Sequence, residues 1–182
     1  LSCHFLLDVD GTLYQTVDLK EYTRHAGDMA NERCVGIEIA HAGALEKDRE
    51  VDWWGSDERG PFLKMGSRLE HVATPGYEVR PARPEVFRGT VNGQEWWQYD
   101  YTEEQYQTLV KLLATLNRVL PKIRLEVPRD EQGAVRQERL PWGELTAWTG
   151  VLGHMQISPT KKDPGPAFDW DRVMNGAKAL SE

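Results

Sequence analysis

The sequence has little cysteine: Cys3 and Cys34 are the two cysteines in 182 residues. That excludes a disulfide framework as the source of stability, and two free thiols are the expected state. No apolar run approaches the length of a membrane span. There is no basic excess, since 22 Lys and Arg stand against 29 Asp and Glu, for a net charge of -7. A general nucleic-acid binder needs a basic surface, so that class is disfavoured. No internal repeat is visible. The first residue is Leu rather than Met, and no signal peptide precedes Leu1-Ser2-Cys3-His4-Phe5-Leu6-Leu7, which reads as a strand in progress. The natural protein is therefore expected to extend upstream, where any targeting signal would lie, and the compartment cannot be read. What is present is ordinary for a soluble globular protein, with 40% hydrophobic and 28% charged residues. The length allows one domain with a real core.

Residues 4–17 read as a β-hairpin, with Phe5, Leu6 and Leu7 leading to Asp10-Gly11 and on to Leu13, Tyr14 and Val17. Residues 34–40 form a second apolar strand with one carboxylate, Glu38, inside it. Residues 42–100 are rich in Gly, Pro, Arg and Trp and read as an insertion or elaborate loop. Within it, Val86-Phe87 to Trp96-Trp97 suggests a hairpin turning at Asn92-Gly93. Trp53, Trp54, Trp96 and Trp97 offer either a stacking wall for sugar or peptide or, more ordinarily, a local mini-core. Thr102 with Gln105 is a capping-box start. Tyr106, Leu109, Val110, Leu113, Leu116 and Leu120 then recur at helical spacing until Pro121. Residues 122–147 are polar, Val151-Leu152 reads as a strand end before Gly153-His154, and a last short helix starts near Asp169. The expectation is a single α/β or α+β domain over residues 1–182, with a central mixed β-sheet flanked by helices.

Phe5-Leu6-Leu7-Asp8-Val9-Asp10-Gly11-Thr12-Leu13 resembles the first motif of haloacid-dehalogenase-type phosphatases, in which the first Asp attacks phosphorus and the second handles a proton beside magnesium. The later acidic magnesium motif and the run of βα units are hard to place. Asp and Gly are also what tight turns use, so this is the minor alternative.

A hydrolytic zinc site needs His, Cys or carboxylate ligands, usually three, and an open position for water. A carboxylate can take the water's proton and a cation can hold the oxyanion. His154 follows a Gly, Asp163 lies nine residues on, and Lys161 and Lys162 lie between them in a loop rich in Pro and Gly. A His and an Asp in a loop are by themselves more often structural.

The whole pattern, Gly-His-x-x-Ile-x-Pro-x-Lys-x-Asp-Pro-Gly-Pro-x-Phe-Asp-Trp over residues 153–170, resembles the signature of the type 2 N-acetylmuramoyl-L-alanine amidases, related to phage amidases and peptidoglycan recognition proteins. Further blocks agree in order. Ser2 to Leu7 with Asp10-Gly11-Thr12 and Tyr14-Gln15 is similar to the family's central hairpin, and His25-Ala26-Gly27 with Asn31 to its substrate-side loop. Gly36-Ile37-Glu38-Ile39 is similar to its strand with the catalytic glutamate, and Tyr101 to Tyr106 to the start of its long helix. The resemblance implies bacterial peptidoglycan or a muropeptide as substrate, with Zn2+ as cofactor. His154 and Asp163 would be zinc ligands, Glu38 the general base or the group that orients the attacking water, and Lys161 the oxyanion cation, with Lys162 the alternative. His25 and Asn31 would line the substrate groove, and His4 would sit at the groove near the metal without binding it. His41 and His71 have no matching role. The substrate class favours a periplasmic or secreted enzyme, with cytoplasmic recycling as the alternative.

The chain departs from the family where it begins at the hairpin. The family's first zinc ligand, a histidine on an earlier strand, has no counterpart, so the domain is expected to be N-terminally incomplete. Two protein ligands hold zinc more weakly than three. A non-catalytic peptidoglycan-binding domain is therefore the second reading.

Overall fold

The computed structural model describes residues 2–46, 53–64 and 66–181. Part of the expected insertion, residues 47–52 and 65, lies outside the described residues.

The expected first hairpin is present. Strand β1 (Phe5–Leu7) pairs antiparallel with β2 (Leu13–Gln15), and Leu6 stands opposite Tyr14. Strand β3 (Ile37–Ile39) pairs parallel with the other edge of β1, which gives a mixed sheet of order β2-β1-β3. Side chains alternate across a strand. Phe5 and Leu7 are buried, whereas Leu6 is 42% exposed on the outer face. Turn residues do ordinary turn work: Asp8 accepts from the Val9 N–H, and Asp10 accepts from the N–H groups of Thr12 and Thr74.

Two further hairpins occupy the expected insertion. Strands β4 (Trp54–Asp57) and β5 (Gly60–Leu63) form one, and β6 (Phe87–Val91) and β7 (Gln94–Gln98) the other. The β6–β7 turn falls on Asn92-Gly93, with φ of 48° and 79°. Positive φ at both central residues matches the right-handed twist of the strands, which is why Asn-Gly is favoured there. A small separate core of Val9, Leu63 and Val79, with Trp54 and Tyr77 against it, sits beneath β4–β5. The four tryptophans do not form one wall. Trp54 packs on Tyr99 at 4.3 Å in the small core, Trp96 packs on the main core, and the Arg88 guanidinium lies 4.7 Å from the Trp97 ring centre.

Helices α1 (Asp28–Asn31) and α2 (Glu103–Val119) follow the sequence. The α2 capping box has both halves: Thr102 Oγ1 accepts from the Gln105 N–H, and Gln105 Oε1 accepts from the Thr102 N–H. Its buried stripe of Tyr106, Leu109, Leu113 and Leu116 meets Phe5 and Leu7 in the main core. The helix start also holds the sheet ends. Thr102 Oγ1 donates to Val9 O at 2.7 Å, and Gln105 Nε2 donates to Ala40 O at 2.7 Å, just past β3.

The polar stretch 122–147 still supplies buried Leu125, Val127, Leu140 and Leu145, the last on α3 (Trp142–Ala147). Val151 and Leu152 are not a strand end. They lie in a loop alongside residues 124–126, where the Val151 N–H donates to Glu126 O and the Arg124 N–H to Thr149 O without forming a strand ladder. The chain then forms the short turn of helix α4 (His154–Ile157) and ends in α5 (Trp170–Ser181) along α2. A Cβ on Gly176 would stand 2.9 Å from Val110, so glycine permits that close helix approach. The domain is α+β.

Candidate active site

The loop after α4 brings the two proposed metal ligands together. His154 Nδ1 lies 3.0 Å from Asp163 Oδ2. Backbone bonds hold the loop closed: the Met155 N–H donates to Asp163 O, and the Lys161 N–H to Ser158 O. Gly153 is required at the start of α4, since a Cβ there would meet Pro164 Cδ at 2.6 Å. Gln156 is fully buried and anchors the same turn, accepting from the Gly153 N–H and donating to Arg136 O.

The pair's electrostatics keep Asp163 ionised. Burial pushes the Asp163 carboxyl up, but the His154 hydrogen bond and charge, with the Lys161 charge behind them, hold it below the usual carboxylate range. The Asp163 side chain is 59% exposed, so its oxygens are open to solvent and to a ligand. An imidazole nitrogen and a carboxylate oxygen, brought within 3.0 Å of each other at the surface, form a donor set that zinc accepts. Among the described residues, no group of three His, Cys, Asp or Glu side chains converges to hold a metal.

The two lysines differ. The Lys162 ammonium lies 3.8 Å from the centre of the Trp96 ring. Lys161 is exposed, and its charge reaches Asp163.

Glu38 occupies the middle of β3, opposite Leu6, which is in turn opposite Tyr14. Ile37 and Ile39 pack against the main core. Glu38 therefore shares the outer face of the sheet with Leu6 and Tyr14.

The histidines near the N-terminus have structural partners. His4 is only 2% exposed, and both its ring nitrogens are engaged. Nε2 donates to Glu21 O at 3.1 Å, and Nδ1 accepts from the Gly36 N–H at 3.0 Å, with Thr23 Oγ1 at 3.2 Å. These bonds assign the proton to Nε2. The groove position expected for His4 is thus a buried post between β1 and the start of β3. Thr23 is fully buried, and its hydroxyl also reaches His25 Nδ1 at 2.9 Å. His25 is half-buried, and burial lowers its pKa. Asn31 is 6% exposed, and its Oδ1 accepts from the N–H groups of His25 and Ala26. In this structure Asn31 shapes the loop that carries His25. His71 is exposed, whereas His41 is partly buried and bonded through both nitrogens.

Sequence reasoning missed several supports. Asn92 Nδ2 donates to Met155 O, Ser158 O and Lys161 O at 3.1, 3.2 and 2.8 Å. Gln98 Nε2 donates to Pro164 O at 2.8 Å, and Gln98 Oε1 accepts from the Ala167 N–H at 3.1 Å. Asp100, with a fully buried carboxylate, pairs with Arg83 at 2.6 Å and accepts from the Tyr106 hydroxyl at 2.5 Å. Arg83 also donates to Ala167 O. Asn92-Gly93 was visible as a turn, but nothing local to it signals where the Asn side chain reaches.

No curated protein matches the chain. A family model does match, that of N-acetylmuramoyl-L-alanine amidase, and it covers residues 1–166. The match takes in the mixed sheet, the loop with His25, the strand with Glu38, helix α2 and the His154–Asp163 pair. With that coverage, the chain belongs to the N-acetylmuramoyl-L-alanine amidase family of peptidoglycan hydrolases.

Proposed function

We propose that this chain contributes a zinc-dependent active site that hydrolyses the amide between the lactyl group of N-acetylmuramic acid and L-alanine in bacterial peptidoglycan or muropeptides. The observation that carries this reading is the His154 Nδ1 to Asp163 Oδ2 approach of 3.0 Å, on a loop that also presents Lys161. His154 and Asp163 would hold the zinc ion, which when bound lowers the pKa of a water and polarises the scissile carbonyl. Glu38 removes a proton from the attacking water, a role supported by its place on the outer face of β3, away from the core side of Ile37 and Ile39. Lys161 balances the charge that develops on the carbonyl oxygen. The carbon–nitrogen bond breaks, the departing L-alanine amine takes up the proton held by Glu38, and the lactyl carboxylate is released. An intact-wall substrate favours a periplasmic or secreted enzyme, and a soluble muropeptide substrate a cytoplasmic one.

Release of stem peptide from purified muropeptide, with zinc supplied, tests the reading in wild type and Glu38→Ala. Wild-type release that collapses in the variant is expected. Equal release in both would remove Glu38 from the chemistry. A non-catalytic peptidoglycan-binding domain is the second reading, favoured by the two-donor metal set found among the described residues. Sedimentation with insoluble wall and no release at any zinc concentration would select it.

A further inference from the structure

The β6–β7 hairpin holds the His154–Asp163 loop at two places. At the hairpin's turn, Asn92 sits at φ 48° with its carboxamide directed into that loop. Its oxygen accepts from the Arg139 N–H at 2.9 Å, which identifies the other end as nitrogen. That nitrogen shares its two protons among the carbonyls of Met155, Ser158 and Lys161. The Asn92 backbone N–H donates to Gln137 O at 3.0 Å, so the turn itself is anchored. At the hairpin's base, Gln98 bonds Pro164 and Ala167, on the far side of Asp163. Gly165 fits under Gln98 because it lacks a side chain: a Cβ there would collide with the Gln98 carboxamide, and its φ is 94°. Between the two ends, a Cβ on Gly89 would stand 2.7 Å from Pro166.

We infer that Asn92, assisted by Gln98, is a positioning residue for the reaction. It fixes the backbone from which Lys161 projects and closes the loop that joins His154 to Asp163. The inference rests on the amidase reading for its consequence, but the clamp itself is a separate claim. Misplacement of a reacting group by about 1 Å can cost on the order of a hundredfold in rate. A side chain that holds the Lys161 carbonyl at 2.8 Å therefore has leverage on turnover without touching substrate.

The test uses the full chain in three variants. Asn92→Asp keeps the shape and tolerates positive φ, but it presents an acceptor to three carbonyls. Asn92→Gly keeps the turn and removes the clamp. Thr108→Ala, on α2 and remote from the loop, removes a hydrogen bond to Gly11 O and controls for general loss of stability. Both Asn92 variants should speed amide hydrogen exchange across residues 154–163 by about tenfold or more and lower kcat by about tenfold, with KM within about twofold. Thr108→Ala should change neither exchange there nor kcat. Unchanged exchange in either folded Asn92 variant would overturn the clamp. Faster exchange at full kcat would overturn the positioning role. A wild-type chain that hydrolyses nothing would count against the amidase reading, and against the catalytic consequence drawn here, while the exchange measurement would still decide the clamp.

Discussion

The Lys162 ammonium stands 3.8 Å from the centre of the Trp96 ring, while its neighbour Lys161 projects toward solvent near Asp163. Two adjacent lysines thus have different surroundings. Lys161→Met should lower kcat by roughly a hundredfold or more, the size of effect seen when an oxyanion donor is lost. Lys162→Met should keep most activity and cost about 0.5–1 kcal/mol of stability, the worth of an exposed cation–π contact. Steady-state kinetics on muropeptide and thermal melts separate the two, and the reverse pattern would transfer the oxyanion role to Lys162.

Replacing Glu38, the proposed base, should leave the fold intact. Glu38 shares the outer sheet face with Leu6 and Tyr14, so Glu38→Gln neither opens the core nor breaks the pairing with β1. The expected result is a melting temperature within a few degrees of wild type and a rate loss of about 10²–10⁴. A rate within threefold of wild type would assign the base elsewhere.

Zinc binding should require both members of the pair. Asp163→Ala or His154→Ala should weaken zinc affinity by well over tenfold in a calorimetric titration. The Asp163 carboxyl is held below its ordinary range, so it stays ionised somewhat further into acid than a free Asp. The stability its ionised form contributes is present above the unfolded pKa and is lost as pH falls through the lower folded value. Undiminished zinc affinity in Asp163→Ala would remove that residue from the site.

Acid should destabilise the protein through His41. Its Nε2 donates to Asp100 O at 3.2 Å, its Nδ1 accepts from the Gly43 N–H at 2.8 Å, and its ring stacks on Tyr101 at 4.2 Å. Burial, partly offset by Asp100, lowers its pKa from 6.5 to about 4. The folded state therefore binds this proton less readily than the unfolded chain. Stability from this group is complete above pH 6.5 and falls between pH 6.5 and about 4. A single group that titrates this way gives a slope of at most about 1.4 kcal/mol per pH unit. Urea melts of wild type and His41→Gln across that range should show a shallower acid slope in the variant, and parallel slopes would refute the assignment.

Gly36→Ala should disturb the loop that carries His25. A Cβ there would stand 2.5 Å from the His25 ring, and the Gly36 N–H is the donor to His4 Nδ1. Displacing His25 should raise KM and lower the melting temperature together. Unchanged kinetics would separate His25 from substrate.

Much of the fold is legible in short stretches of sequence. The Asp10-Gly11 and Asn92-Gly93 turns, the Thr102–Gln105 capping box and the alternation Phe5-Leu6-Leu7 are settled by residues within a few positions of each other. Val151-Leu152 misled because two apolar residues after a polar stretch have strand propensity, but a strand also needs a continued ladder of backbone bonds to a partner. His4 misled for a related reason. Its motif places it beside the hairpin, but only the tertiary bonds to Glu21, Thr23 and Gly36 show that the ring is buried and fully used.

The sequence by itself determined the family, the first and the Asn92-Gly93 hairpins, the long capped helix and the residue types available for chemistry, because local backbone preferences and contiguous motifs carry that information; the β4–β5 hairpin was not legible there. Tertiary structure decided which of those residues meet. It brought His154 to Asp163, put Trp96 under Lys162, and set the Asn92 carboxamide against Lys161, which is 69 residues away. Those contacts depend on how the insertion packs over the loop, and no short-range propensity encodes the direction of a side chain across that distance.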